Sequence, residues 1–262
     1  MTSAHFDLAL WLSALPLLLV AATISWLVSL PLRNVAVVDP LWGLMLFAAG
    51  VVYALDTDPR APRLSLTLWL AAIWAMRLAA YVTARNAGRG EPRRYRELRE
   101  RHDPHFSWKS LYRVFGLQAL LAWVVSLPLL GAFASNAPVG PLDYAGILLW
   151  IVGFVVESGA DWQLARFRAD PANADGVLRR GFWRFTRHPN YFGECCVWWG
   201  FFVMALPLAA WSVVSPLLMS VLLLKVSGVA LLEKDIGERR PAYRDYVRRT
   251  SAFFPWPPRR GG

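Results

Sequence analysis

Apolar and polar positions fall into long blocks along this chain rather than short alternations. Seven predominantly apolar stretches run over 6–30, 36–55, 64–84, 111–134, 142–162, 192–210 and 211–232. Each is close to the roughly 20 residues that a bilayer core requires of a helix. The pattern predicts an all-α polytopic membrane protein with seven transmembrane helices. Only Met1-Thr2-Ser3-Ala4-His5 precedes the first stretch, with no basic segment, and the stretch is long. It is expected to be a retained helix rather than a signal peptide. The break between the last two stretches, from Leu206-Pro207 to Ser215-Pro216, is the weakest, and a tight hairpin is the alternative for that pair. No repeat and no second soluble domain is visible.

Composition agrees with this reading. The chain has 262 residues, 56% of them hydrophobic, with 14 Trp, which is too apolar for an ordinary soluble domain. Its formal net charge is +10, and the placement of that charge carries the information. Basic residues crowd the segments 85–110 and 163–191 and the tail from Lys234 onward. The segments 135–141 and 207–215 hold none, and 56–63 holds only Arg60 and Arg63. With seven spans, every basic segment lies on one side. The positive-inside bias makes that side cytoplasmic, with the N-terminus outside and the C-terminus inside. The same spread argues against nucleic-acid binding and for attraction to anionic lipid.

The longest connection, 85–110, opens with Gly88, Gly90 and Pro92. It then reads Tyr95-Arg96-Glu97-Leu98-Arg99-Glu100-Arg101, a short surface helix after a flexible start. The tail ends in Phe253-Phe254-Pro255-Trp256, suited to the membrane–water interface. Cys195 and Cys196 are adjacent in an apolar run and are expected to be small hydrophobes. The four histidines (His5, His102, His105 and His188) show no metal-ligand spacing, and no metal is expected.

Ionisable side chains inside the apolar stretches are the candidate chemistry. Each costs about 2.5–3.5 kcal/mol at a helix centre on insertion scales, so it belongs to a bundle interior or wet cavity. They are Asp39, Arg77, Glu157, Asp161, Glu194, Lys225, Glu233 and Lys234. Arg77, Tyr81 and Arg85 share one helical face, and so do Glu157, Asp161 and, if the helix continues, Arg168. Acid, acid and base in a row suit a ligand with hydroxyls at one end and phosphate at the other. A salt-bridge network that fixes helix packing would use the same residues. The connection 163–191 reads as a phosphate-binding lid. Arg179, Arg180, Arg184 and Arg187 supply guanidinium contacts, and Gly176 and Gly181 permit close approach. His188-Pro189-Asn190-Tyr191 offers a fixed turn, an amide and rings. Neither glycine fingerprint of the soluble nucleotide folds is present.

The run Gly181-Phe182-Trp183-Arg184-Phe185-Thr186-Arg187-His188-Pro189-Asn190-Tyr191-Phe192-Gly193-Glu194, followed by Trp198-Trp199-Gly200, resembles the signature of the steroid 5-alpha-reductase-like membrane proteins, in their bacterial branch of DUF1295 type. Glu233, then Arg240-Pro241-Ala242-Tyr243-Arg244-Asp245-Tyr246 and Thr250 to Pro255, is similar to the same pattern. The likeness is strong over about 140–256 and weaker over 30–100. The His-Pro-Asn-Tyr element is also similar to membrane methyltransferases that use S-adenosylmethionine.

The reductase resemblance implies a seven-helix fold that binds NADPH from the cytosol and reduces a carbon–carbon double bond conjugated to a ketone. Residues 135–256 would then form the cofactor half and 1–134 the substrate half. Asp161 and Arg168 match the family's D-x6-R, and Asn190 and Glu194 its N-x3-E. Glu157, Arg179, Arg180, Arg184, Arg187, His188, Tyr191, Glu233, Arg240, Tyr243 and Tyr246 complete the expected cofactor set. Arg77 and Tyr81 match an R-x3-Y. Trp74 stands where the steroid reductases carry a Tyr, and Asp39 is the nearest stand-in for their partner Glu. Trp42 and Arg77 are expected on the substrate side, with Asp39 (held neutral by burial) or Tyr81 as the acid. A lipophilic enone and the bilayer are the implied partners, and a bacterial inner membrane is the implied location. The other readings are an S-adenosylmethionine-dependent methyltransferase and a non-enzymatic lipid-binding or transport protein.

Overall fold

A computed structural model describes residues 6–57, 62–102, 104–133, 138–226, 228–233, 236 and 242–259. The described residues are all-α, with a single isolated parallel β-bridge, Thr186 to Ser251. Five helices are long and apolar enough to cross a membrane: Leu8–Leu32, Val35–Leu55, Arg63–Asn86, Phe106–Phe133 and Pro141–Ala169. They coincide with the first five predicted spans, and the protein is an integral membrane protein. The last two predicted spans differ. The sixth is a 17-residue helix, Pro189–Ala205. At about 1.5 Å per residue it is roughly 25 Å long. It ends where Leu206-Pro207-Leu208 turns, because Pro207 lacks the N–H that another helical turn needs. The seventh, Ala210–Val226, begins as a 3-10 turn and ends as a π turn.

Two compact units divide the chain. The first comprises 1–140 and 205–214. It holds α1 (Leu8–Leu32), α2 (Leu41–Leu55), α3 (Pro62–Asn86), α4 (Arg93–His102) and α5 (Phe106–Phe133). α2 packs backbone-close on α3, since a Cβ at Gly43 would lie 3.2 Å from the Ala75 Cα. Trp11 and Trp123 stack with centroids 3.7 Å apart, and each indole N–H donates to the other's carbonyl. That reciprocal pairing satisfies two polar groups at an apolar crossing of α1 and α5. α5 is interrupted at Ser126, just before Pro128, and the Ser126 hydroxyl pairs with the buried Tyr53 at 2.9 Å.

The second unit comprises 141–204 and 215–262. It holds α6 (Pro141–Ala169), α7 (Pro189–Ala205), α8 (Val214–Val221), α9 (Val229–Glu233) and α10 (Ala242–Arg249). Glycine sets the contact between α6 and α7. A Cβ on Gly153 would fall 2.6 Å from the Gly193 carbonyl oxygen, and one on Gly200 2.8 Å from that of Gly146. Both pairs are seven residues apart, so two turns of each helix pack backbone to backbone.

Candidate functional site

In the first unit the chemistry gathers around Asp39. Its Oδ1 accepts from Arg94 Nη2 at 2.6 Å and from the Tyr95 hydroxyl at 2.5 Å, while Arg85 Nη2 stands 4.0 Å from Oδ2. The Arg85 guanidinium also lies 5.8 Å from the Tyr81 ring centroid. Two predicted catalytic positions, Asp39 and Tyr81, therefore meet through Arg85. Asp39 is the acceptor in an ion pair rather than a solitary buried acid, which corrects its expected role. Arg94 and Tyr95 are the donors to Asp39, and both lie on the short helix expected at the surface. Burial and the Asp39 carboxylate both raise the Tyr95 hydroxyl above its ordinary range, so it stays a proton donor. Beside it, Glu91 takes both Arg99 Nε and Nη2 at about 3 Å and caps the Val35 N–H at 3.0 Å. The short helix expected over 95–101 forms as α4, and through Glu91 and Tyr95 the connection also clamps the turn at 35–39. Trp74 is buried in α3, Trp42 and Arg77 are half-buried, and Lys225, expected among the buried charges, is exposed.

In the second unit α6 continues to Ala169, so Glu157, Asp161 and Arg168 do share a face. Glu157 and Asp161 are buried, and Arg168 is exposed. Asn190, in the first turn of α7, donates its amide to Asp161 Oδ1 at 3.2 Å. The two helices come this close because Gly193 has no side chain; a Cβ there would stand 2.5 Å from the Glu157 nitrogen. The D-x6-R and N-x3-E elements are therefore in contact through Asp161 and Asn190, and Glu194 is buried one turn further along α7.

A second cluster lies at the start of α7. Arg187 Nε and Nη2 grip Glu233 Oε1 and Oε2, each at 2.7 Å, and His188 Nε2 lies 2.9 Å from Oε1. The Tyr191 ring lies parallel to His188 at 5.6 Å. Burial opposes ionisation of Glu233, but hydrogen bonds from His188 and Arg187, with the guanidinium charge, win and lower its carboxyl to about 2. Arg187 Nη1 also donates to the carbonyls of Val247 and Thr250. Tyr246, whose hydroxyl burial raises, donates to the Trp183 and Thr186 carbonyls, and Tyr243, pushed up to about 12 by burial, packs edge-on against it. Backbone bonds Arg187 N–H to Ser251 O and Trp256 N–H to Phe185 O, both 2.9 Å, complete a strap of 242–259 over 183–188.

The expected lid is corrected accordingly. Its first seven residues belong to α6. Arg187 is buried in the strap, and Arg179 pairs with Asp245 at 2.9 Å and with the Ala242 carbonyl. Arg180 and Arg184 remain exposed. Arg240 lies outside the described residues. A groove of roughly 440 Å³ opens beside α6, lined by Trp162, Gln163, Arg166, Phe167, Asp170, Asn173, Leu178, Arg180 and Gly181. Among the described residues no three His, Cys, Asp or Glu side chains cluster to hold a metal.

The sequence reading missed Glu91, Arg94 and Tyr95, whose partners lie more than fifty residues away. It also missed the paired glycines, which a Gly-x6-Gly spacing in both spans would have revealed.

Comparison with known proteins finds a family model described as "Protein of unknown function (DUF1295)" matching residues 25–250. An uncharacterized protein of Schizosaccharomyces pombe is 24% identical over 270 residues, covering 90% of this chain and 77% of that protein. The mouse and rat proteins named 3-oxo-5-alpha-steroid 4-dehydrogenase 1 are each 31% identical over 80 residues. That match spans 30% of this chain and 29% of each rodent protein. No solved structure matches.

Proposed function

The chain belongs to the DUF1295 family, and on that premise we propose that it is an NADPH-dependent membrane reductase of a conjugated carbon–carbon double bond in a lipophilic enone. The observation that carries the reading is the Asp161–Asn190 contact at the Gly193 crossing, which joins two motif elements 29 residues apart in sequence. The limited likeness to the rodent steroid dehydrogenases supports the same class of chemistry. The donor set fits a nicotinamide dinucleotide. Glu157, Asp161 and Asn190 offer acceptors and a donor for ribose hydroxyls, and the exposed Arg168 offers a bidentate phosphate contact. NADPH would supply the hydride to the enone's β-carbon. Negative charge then grows on the carbonyl oxygen, and a hydroxyl donor in a dry site stabilises it. We assign that part to Tyr81, oriented by Arg85, with Asp39 and Tyr95 holding Arg85's surroundings. The chain is further proposed to cross a bacterial inner membrane seven times, with its C-terminus in the cytoplasm.

Thermal unfolding in detergent with NADPH, NADH or S-adenosylmethionine tests the reading. A ligand present at about a hundred times its dissociation constant stabilises by about 2.7 kcal/mol. NADPH is expected to raise the midpoint, and Asn190→Ala and Arg168→Ala to abolish that rise. No rise with NADPH overturns the proposal, and a rise with S-adenosylmethionine alone replaces it with methyl transfer.

A further inference from the structure

The groove beside α6 lies away from the face that carries Glu157, Asp161 and Arg168. Gln163 follows Asp161 by two residues, roughly 200° around the helix. Its amide oxygen accepts the Phe182 N–H at 3.1 Å, which holds the left-handed Gly181 turn against α6. Phe167 and Leu178 pack on the small core of Ala160 and Trp183 beneath.

Two guanidinium groups face this groove. Arg166 lies over the Trp162 ring, 5.1 Å from its centroid, and Arg180 lines the same groove. Among the described residues neither has a carboxylate partner. The one acid at the rim, Asp170, is engaged in its own turn: its carboxylate accepts from the Ala172 N–H at 2.9 Å and from Asn173 Nδ2 at 3.3 Å. Among the described residues the groove therefore carries two guanidinium charges against one carboxylate and keeps a net positive charge.

What leads into the groove is apolar. Along α6, Tyr144, Leu148, Val152, Val155 and Trp162 recur at helical spacing and are exposed, Leu148 by 64% and Trp162 by 59%. At Gly159 the Phe182 ring fills the stripe, so it stays apolar down to Trp162 and Arg166. On a helix long and apolar enough to cross a membrane, such an exposed stripe suits contact with lipid. It ends in an indole, which favours the membrane–water interface, and then in two cations.

We propose that this groove is a binding site for an anionic phospholipid, whose acyl chain lies along the exposed stripe of α6 while Arg166 and Arg180 take its phosphate. Charge complementarity and the continuity of stripe and groove select a lipid over a soluble anion. A free phosphate would gain nothing from the stripe, and a zwitterionic headgroup would bring its own cation against the arginines.

Purified full-length protein in lipid-free detergent provides the test. Its unfolding midpoint is titrated with phosphatidylglycerol, with phosphatidylcholine of the same acyl chains, and with inorganic phosphate. Phosphatidylglycerol is expected to give a saturable rise that phosphatidylcholine does not. Each of Arg166→Gln and Arg180→Gln should weaken it about fivefold, and the pair together roughly thirtyfold. Both side chains are exposed, so the variants fold. Trp162→Ala should weaken phosphatidylglycerol while leaving any response to inorganic phosphate unchanged. Equal responses to the two lipids, an undiminished response in the double variant, or an equal effect of inorganic phosphate would each overturn the assignment. So would loss of NADPH stabilisation in Arg166→Gln, because the groove would then be part of the cofactor site. The lipid titrations read out independently of whether NADPH binds.

Discussion

Arg187 serves four acceptors at once, the two Glu233 oxygens and the carbonyls of Val247 and Thr250. Removing it strands Glu233 beside His188 in a largely buried position. Arg187→Met is expected to destabilise by about 3 kcal/mol, read as a lowered unfolding midpoint in detergent. The pH dependence has a definite sign. Folding lowers the Glu233 carboxyl from its ordinary 4.5 to about 2, so the pair contributes fully above about pH 4.5 and fades as pH falls towards 2. Midpoints measured from pH 6 to 2.5 should fall more steeply in the wild type than in Glu233→Gln. Tyr81→Phe belongs to this scale as well. It should lower kcat on an enone about a hundredfold while leaving NADPH stabilisation intact. The separate residues were legible in the sequence because charge in an apolar stretch is costly enough to stand out. Their pairing was not. Arg187 and Arg179 read as phosphate ligands because the groups that claim them lie 46 to 66 residues later.

The glycines at the crossing of α6 and α7 decide how closely two elements approach, and through that whether Asn190 reaches Asp161. Gly193→Val would press a side chain into the Glu157 backbone, and Gly153→Val into Gly193. Each should cost about 1–3 kcal/mol from overpacking and also remove the NADPH response. Gly90→Ala, with nothing within 4 Å of its added carbon, should do neither. Thermal midpoints with and without NADPH check all three. Helix existence was readable from apolar run length for the first five spans, since length and hydropathy alone specify a bilayer-crossing helix. Where proline and local hydrogen bonding act, that logic fails. Pro207 ends α7 short, and the π turn of Leu111–Gly116 inside α5 leaves no mark in a hydropathy pattern.

For the whole molecule, the alternation of basic and neutral connections makes a topological claim that labelling can test. In a variant with Cys195 and Cys196 replaced by serine, single cysteines at Gly90 and Asp175 should resist a membrane-impermeant maleimide in intact cells. Cysteines at Val139 and Leu208 should react. Protection at Leu208 would show that α7 and α8 form a hairpin on the inner side, leaving five crossings.

The strap of 242–259 over 183–188 ties together positions as far apart in sequence as Phe185 and Trp256. Its carbonyls and hydroxyl are made after every helix from α1 to α9, so the Arg187 cluster stays open until the strap has emerged from the ribosome. Insertion of the earlier helices precedes its closure. A premature stop near residue 240 would therefore yield an inserted protein whose start of α7 has nothing to lock it, a natural target for membrane quality-control proteases.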